Sequence, residues 1–467
     1  MSSQTALASS ILAIALASSG CGGTDSFATR PSRPAPTHVL LIVVDTLRAD
    51  HLGCYGHERD TSPNIDRLAA GATRFERAFA TSPWTMPSIA SILTGLHPST
   101  LGIDGPDHRL PPEVTTIAEM FAEHARPTAG VVSNALLREK LGFHQGFDHY
   151  AQDYATDGER LSSRGVTNLA IERLREFREQ PGGSPFFLFV HYFDPHYGYR
   201  RHRGVDFAPP SAGRLTGQED WGQLSVMSSE LTDEELDFVR RLYDEEIRHT
   251  DRHIGRLLAA LEEHGFAKDT TVILTADHGE GFLAHGWLGH TKTLYNELVR
   301  VPLVIRTPSD RGGRIVETPV GLAALSPTIL DFADVPYDPA RFQARSLADA
   351  IWERGPFEVD SVVTEVDFTA LFEQMQSKNS HKRALIGVRF KLIRDEETGT
   401  EELYDILADP DEQMDIAALR PDLVASMGRA LDERIATFER ASRRMRAPGT
   451  RLSAEEIELL RGLGYVE

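Results

Sequence analysis

His38-Val39-Leu40-Leu41-Ile42-Val43-Val44-Asp45 is a strand-length run of apolar side chains ended by a carboxylate. A strand with one wet face alternates apolar and polar residues, whereas an unbroken apolar run is buried on both faces, as in a parallel sheet covered by helices. The run therefore predicts a central parallel strand that delivers Asp45 to its carboxyl end. Downstream, Thr61-Ser62-Pro63 predicts the capped start of a helix with Ile65, Leu68 and Ala69 on one face and Gly71 at its end. Thr128-Ala129-Gly130-Val131-Val132 and Phe186-Phe187-Leu188-Phe189-Val190 read as further buried strands. Between them Val166, Leu169, Ala170, Leu174 and Phe177 recur at helical spacing.

Thr232 with Glu235 forms a capping box that opens a long helix through Leu236, Val239, Leu242, Ile254, Leu257 and Leu261 to Gly265. Residues 271–276 predict the next buried strand. Val301-Pro302-Leu303-Val304-Ile305 predicts another, with a proline of the kind edge strands tolerate. Strands alternating with helices give an α/β fold with a mostly parallel central sheet. Asp45, Ser133-Asn134, His191 and Asp277-His278 then fall just past strand ends. Open α/β sheets bind ligands at the carboxyl ends of their strands, so these distant residues should converge on one crevice.

Thr81-Ser82-Pro83-Trp84-Thr85-Met86-Pro87-Ser88-Ile89-Ala90-Ser91-Ile92-Leu93-Thr94-Gly95 is a polar loop turning into a short apolar helix. Pro87 suits the first helical position, Thr85 or a neighbour can cap the free amides, and amides and dipole together favour an anion. A hydroxyl placed there either attacks an anionic ester or only caps the helix. Asp277-His278-Gly279-Glu280, with Asp45, offers two carboxylates and an imidazole to one divalent cation; the alternative is a turn carrying a surface histidine. Carboxylates suit Ca²⁺, Mg²⁺ or Mn²⁺, and imidazole leans toward Mn²⁺ or Zn²⁺, so composition leaves all four open. Such a cation would lower the pKa of the Thr85 hydroxyl and neutralise ester oxygens.

The Thr85-Met86-Pro87-Ser88-Ile89 and Ile92-Leu93-Thr94-Gly95 segments resemble the signature of the sulfatase family in the alkaline phosphatase superfamily, Cys or Ser-x-Pro-Ser-Arg followed by Leu-Thr-Gly. Asp45-Thr46-Leu47-Arg48-Ala49-Asp50, Asp194-Pro195-His196, Asp277-His278-Gly279-Glu280, Lys292-Thr293-Leu294-Tyr295-Asn296-Glu297 and Glu402-Leu403-Tyr404-Asp405 with Asp409-Pro410 extend the resemblance over most of residues 38 to 410. It implies an alkaline-phosphatase-like fold and a metal held by Asp45, Asp277, His278 and Thr85, with Thr85 also the nucleophile. It further implies that Lys292 binds the ester anion and that His196 protonates the leaving group.

Asn134 lies near the family's Lys-x-His segment, absent here, and either donates to substrate or holds a loop. His290 is a candidate on the substrate side; it, His191 and His285 read first as groups that support the ligands or the fold. Two departures matter. Thr46 stands where many sulfatases have a second Asp, and Thr85 stands where the family oxidises Cys or Ser to formylglycine. Threonine cannot become that aldehyde, so the resemblance implies a phosphothreonine-like intermediate and cleavage of phospho- or phosphonoesters, diesters included, by hydrolysis or transfer. The alternatives are a true sulfuric ester hydrolase and an inactive surface binding protein of the same fold.

Net charge of −20 discourages binding to nucleic acid or anionic lipid, so a small anionic ester needs a local positive site such as a metal. Residues 1–21 carry an apolar stretch ended by Ser18-Ser19-Gly20-Cys21, the pattern of a bacterial lipoprotein signal, with lipid on Cys21. An ordinary cleaved signal or an uncleaved anchor is the alternative; all three imply export to a bacterial cell envelope. Cys54 is the other cysteine and reads as a packed thiol. The expected organisation is a signal over 1–21, a Gly- and Pro-rich tether over 22–36, a catalytic domain over 37–384 and a small C-terminal α+β subdomain over 385–467. Oligomeric state is not readable from the sequence.

Overall fold

The structure is a computed structural model that describes residues 35–152, 163–180, 183–310, 312–352, 361–371, 379–442, 447–462 and 465. The expected signal segment, Cys21 and all of the tether but residues 35 and 36 lie outside the described residues.

The strands in chain order are β1 His38–Val44, β2 Thr73–Phe79, β3 Thr128–Val132, β4 His149–Gln152, β5 Phe187–Tyr192 and β6 Thr270–Ala276. A short ribbon, β7 Gly281–Phe282 with β8 Leu288–Gly289, precedes β9 Arg300–Arg306, β10 Arg314–Val316 and β11 Val320–Gly321. Among the described residues the main sheet runs β10-β2-β9-β6-β1-β5-β3-β4, with β11 also on β2. The block from β6 to β4 is parallel, and β9 is antiparallel to both neighbours. β1 sits inside that block, and Val39 to Val44 are at most 1% exposed. Each such aliphatic side chain contributes about 1.5–3 kcal/mol on burial, which is why the most apolar run takes the middle of the sheet.

β9 corrects the edge reading drawn from Pro302, because it lies between β2 and β6. The register of β2 on β9 jumps from Phe75↔Leu303 to Ala78↔Val301, so the proline faces an irregularity in β2. A bulge leaves ladder groups unpaired in any case, and a residue without an N–H costs nothing extra there. The Pro302 carbonyl is used instead by Thr275 Oγ1 at 2.8 Å.

Helices cover the sheet. The one over Pro63–Ala70 starts as expected, yet its Ser62 hydroxyl caps no backbone amide of the first turn and donates to the Asp66 carboxylate at 2.9 Å. Asp251, on the long helix Asp233–Glu263, takes the Asn64 and Ile65 amides instead. The capping box of Thr232 and Glu235 is formed. Cys54 is half-buried, and burial pushes its thiol up to about 12, which makes it inert.

A second sheet, antiparallel in the order β12 Val362–Phe368, β13 Ser380–Ile386, β14 Phe390–Asp395 and β15 Glu401–Asp405, follows in the chain. The helix Pro421–Ser442 packs on it through Leu431 and Phe438 against Val363 and Leu385. The expected boundary at residue 385 falls inside β13, and β12 arises before it. This sheet is tied to loops that leave the main domain's strands: the Glu365 amide donates to the Thr81 carbonyl at 2.9 Å, and Ser380 Oγ to the Lys292 carbonyl at 2.9 Å.

Candidate active site

Parallel pairing aligns the strand ends. Val44 pairs with Tyr192 on one side and Ala276 on the other, so Asp45 and Asp277 both step off the sheet at one level. Asn134 leaves β3 on the same edge. His191, expected just past its strand, is the penultimate residue of β5, because Tyr192 extends the ladder. Thr46 turns the chain at once with φ +53°, an outlying conformation for a β-branched residue, and so aims its amide at Asp277 Oδ1, 3.3 Å away. Tyr243 on the long helix donates to the Thr46 carbonyl at 2.6 Å and holds the turn.

The helix carrying Thr85 begins at Thr85 itself, which places Pro87 third rather than first, still within the turn whose amides have no helical partner. Trp84 occupies the capping position and makes no side-chain bond. The Thr85 hydroxyl is therefore free of capping, a correction to the sequence reading. Its Oγ1 lies 3.3 Å from His278 Nε2, 3.3 Å from the Tyr465 hydroxyl and 3.4 Å from Asn134 Nδ2, and the residue is fully buried. Two bonds tie the helix and its entry loop to the segments that follow β6: Ser88 Oγ to the Asp277 carbonyl at 2.6 Å, and the Thr291 amide to the Pro83 carbonyl at 3.1 Å.

Asp45, Asp277 and His278 form a fully buried group suited to a cation. His278 Nδ1 contacts the Gly279 carbonyl at 2.9 Å; as a donor there it leaves the Nε2 lone pair facing Asp45 Oδ1 and Asp277 Oδ2, each 3.6 Å away. Those two carboxylate oxygens have no hydrogen-bond partner among the described residues. Their other oxygens are engaged: Asp45 Oδ2 accepts from Asn134 at 2.6 Å, and Asp277 Oδ1 from its neighbouring amides. Buried anionic oxygens left unpaired are costly unless a cation neutralises them, so the donor set fits a divalent ion. Burial and then the Asp277 charge push the Asp45 carboxyl well up, and burial holds His278 down at about 4, so that its imidazole is neutral. Gly279 permits the turn because a Cβ there would lie 2.1 Å from the Glu297 carbonyl oxygen. His191 Nε2 faces the same carboxylates at 3.8 and 3.9 Å.

His290 sits against His278, with ring centres 4.6 Å apart, and His196 lies 5.0 Å from His290. Lys292 follows on the same loop, its ammonium 4.3 Å from the centre of the Trp287 ring. His285 is turned to other work: its nitrogens contact Glu297 and the Glu412 carbonyl, each at 3.1 Å. Tyr465 was not a candidate on sequence grounds, and its hydroxyl bridges Thr85 Oγ1 and His290 Nε2, each at 3.3 Å. Glu280 was read only as part of the Asp-His-Gly-Glu segment. It accepts from His290 Nδ1 at 2.9 Å and from the Tyr199 hydroxyl at 3.1 Å. A titratable run beside a metal-type motif could have singled out Glu280; no spacing rule links Tyr465 to Thr85.

The family model described as Sulfatase matches residues 37–335, and that described as N-sulphoglucosamine sulphohydrolase, C-terminal, matches residues 284–440. An arylsulfatase of Clostridium perfringens is 25% identical over 438 residues, covering 80% of this chain and 89% of its own. Two solved structures share the fold, each with a TM-score of 0.72 and 20% identity. One is a 2-O GAG sulfatase, covering 89% of this chain and 95% of its own; the other is the phosphonate monoester hydrolase of Agrobacterium radiobacter, covering 86% and 96%.

Proposed function

The chain belongs to the sulfatase family, a hydrolase class acting on sulfuric or phosphoric esters, and from that membership we propose that it cleaves phospho- or phosphonoesters with Thr85 as the nucleophile. The observation that carries this reading is the position of Thr85 Oγ1, 3.3 Å from His278 Nε2 beside the paired carboxylates, with no capping duty. A divalent ion held by Asp45, Asp277 and His278 would supply Lewis acidity to an ester oxygen and to the Thr85 hydroxyl. Asn134 orients Asp45 and donates toward Thr85 Oγ1. His196 is the group assigned to protonate the leaving oxygen, and Lys292 the one assigned to the ester anion.

Formylglycine leaves its sulfated state by collapse of a hemiacetal, a route closed to threonine. A threonine ester must instead be resolved by water or an acceptor alcohol, and this favours phosphorus over sulfur. The likeness to the Clostridium arylsulfatase supports sulfate as the second reading. Metal-loaded enzyme assayed on aryl sulfate, phosphate monoester, phosphodiester and phosphonate separates them: turnover of a phosphorus ester well above that of the sulfate is expected, and turnover of sulfate alone overturns the preference. We also propose export with lipid on Cys21. A Cys21→Ser protein that stays in the membrane fraction with unchanged mass would count against lipidation.

A further inference from the structure

The hydrogen bonds around Tyr465 have a direction set from one end. The Glu280 carboxylate only accepts, so the proton on His290 must sit on Nδ1, 2.9 Å from Glu280 Oε1. Nε2 is then an acceptor, and the Tyr465 hydroxyl, 3.3 Å away, donates to it. The phenol oxygen keeps lone pairs for the Thr85 hydroxyl, 3.3 Å away on its other side. Tyr199 supports the far end by donating to Glu280 Oε2 at 3.1 Å. Each member is buried: Glu280 and Thr85 fully, Tyr465 to 1% exposure, His290 to 5%. Trp84 and His196 flank the phenol ring, with centres 6.2 and 6.4 Å away.

We propose that Tyr465 is a catalytic residue that carries the Thr85 proton to His290, with Glu280 holding the imidazole, a relay by which an ordinary hydroxyl is deprotonated as it attacks. The bond from Thr85 Oγ1 to the ester's central atom forms while that atom's bond to the leaving oxygen breaks, its electron pair going with the leaving oxygen. In the same step the Oγ1 proton passes to the Tyr465 oxygen and the phenol's own proton passes to His290 Nε2. The imidazolium so formed is paired with the Glu280 carboxylate, and the leaving oxygen takes its proton from a protonated His196, which is left as the neutral imidazole. The logic is that of a nucleophile, a base and an orienting carboxylate, with a phenol inserted between the first two. Contacts of 3.3 Å are long for such bonds, as is usual before substrate draws a site together.

The proposal rests on Thr85 being the attacking group, and three variants keep the two questions apart. Metal-loaded wild type is compared with Thr85→Val, Tyr465→Phe and His290→Gln on whichever aryl ester of the panel it turns over fastest. Positioned proton transfer is worth about 10²- to 10⁴-fold. Tyr465→Phe and His290→Gln should each lower kcat/KM by about 10²-fold or more with melting temperature little changed. The double variant should be no worse than either single one, as expected of groups acting as a unit. A proton inventory in mixed light and heavy water should be curved for wild type, because the two relay protons move together with the one given to the leaving oxygen, and straight for Tyr465→Phe, where only the last is transferred in place. Because Tyr465→Phe keeps the ring, its packing is retained; should it not fold, His290→Gln carries the inventory instead. Wild-type rates in Tyr465→Phe, additive losses in the double variant, or a straight wild-type inventory each overturn the relay. An active Thr85→Val overturns the reading beneath it.

Discussion

Ser88 Oγ donates a 2.6 Å hydrogen bond to the backbone carbonyl of Asp277, fastening the helix that carries Thr85 to the loop that carries the candidate cation ligands Asp277 and His278. The proposed nucleophile and the candidate cation ligands are thereby positioned by a bond that belongs to neither. Ser88→Ala leaves a buried carbonyl unsatisfied and should cost about 1–3 kcal/mol, measured by urea unfolding. Turnover should fall together with metal affinity. Unchanged metal affinity alongside lost stability would mean the bond serves the fold alone.

One divalent ion per chain is expected by elemental analysis of the wild-type protein, and none after Asp45→Ala with Asp277→Ala. Chelation should lower the wild-type melting temperature, because ligand binding to the folded state adds stability. The double variant should not respond to chelator. Undiminished metal content in that variant would place the ion elsewhere.

Thr85→Val keeps the shape and removes the hydroxyl. Turnover should vanish while melting behaviour changes little, since Thr85 does no capping. Thr85→Ser retains an attacking oxygen and should keep part of the activity. A Val variant with wild-type turnover would remove Thr85 from the chemistry.

His97 is stacked on Phe438 with ring centres 4.1 Å apart, and burial, then the Arg434 charge, pushes it down to about 3. Glu365, 3.9 Å away, is already paired with Arg383 at 3.1 Å. A histidine lowered from its usual 6.5 binds fewer protons folded than unfolded between pH 6.5 and about 3, so stability falls as pH drops through that window. One such group contributes a slope of up to about 1.4 kcal/mol per pH unit. His97→Phe should flatten the loss between pH 6.5 and 5 in urea titrations; an unaltered slope would mean His97 is protonated in the folded protein.

The sheet was legible because β1 and the start of β5 carry unbroken apolar runs that only a doubly covered strand tolerates. Pro302 misled for a physical reason: the compensating irregularity lies in β2, more than two hundred positions upstream, and a proline is locally the same at an edge or opposite a bulge. Asp45, Asp277, His278 and Asn134 could be placed together because each follows a strand. Tyr465 could not, since it meets Thr85 across 380 positions and its own neighbourhood carries no pattern. Which oxygen of Thr85's surroundings accepts and which donates is a property of the assembled network, and no residue in it states that alone.

Thr46 is held at φ +53°, where a β-branched side chain is strained by an amount of order 1–3 kcal/mol. Its amide is directed by that strain onto an oxygen of Asp277. Glycine or asparagine would occupy the same turn more comfortably. Position 46 is therefore one where a residue that relieves the strain should raise thermal robustness while keeping the turn. A laboratory screen that rewards survival at high temperature should accumulate glycine or asparagine there with the amide still directed at Asp277.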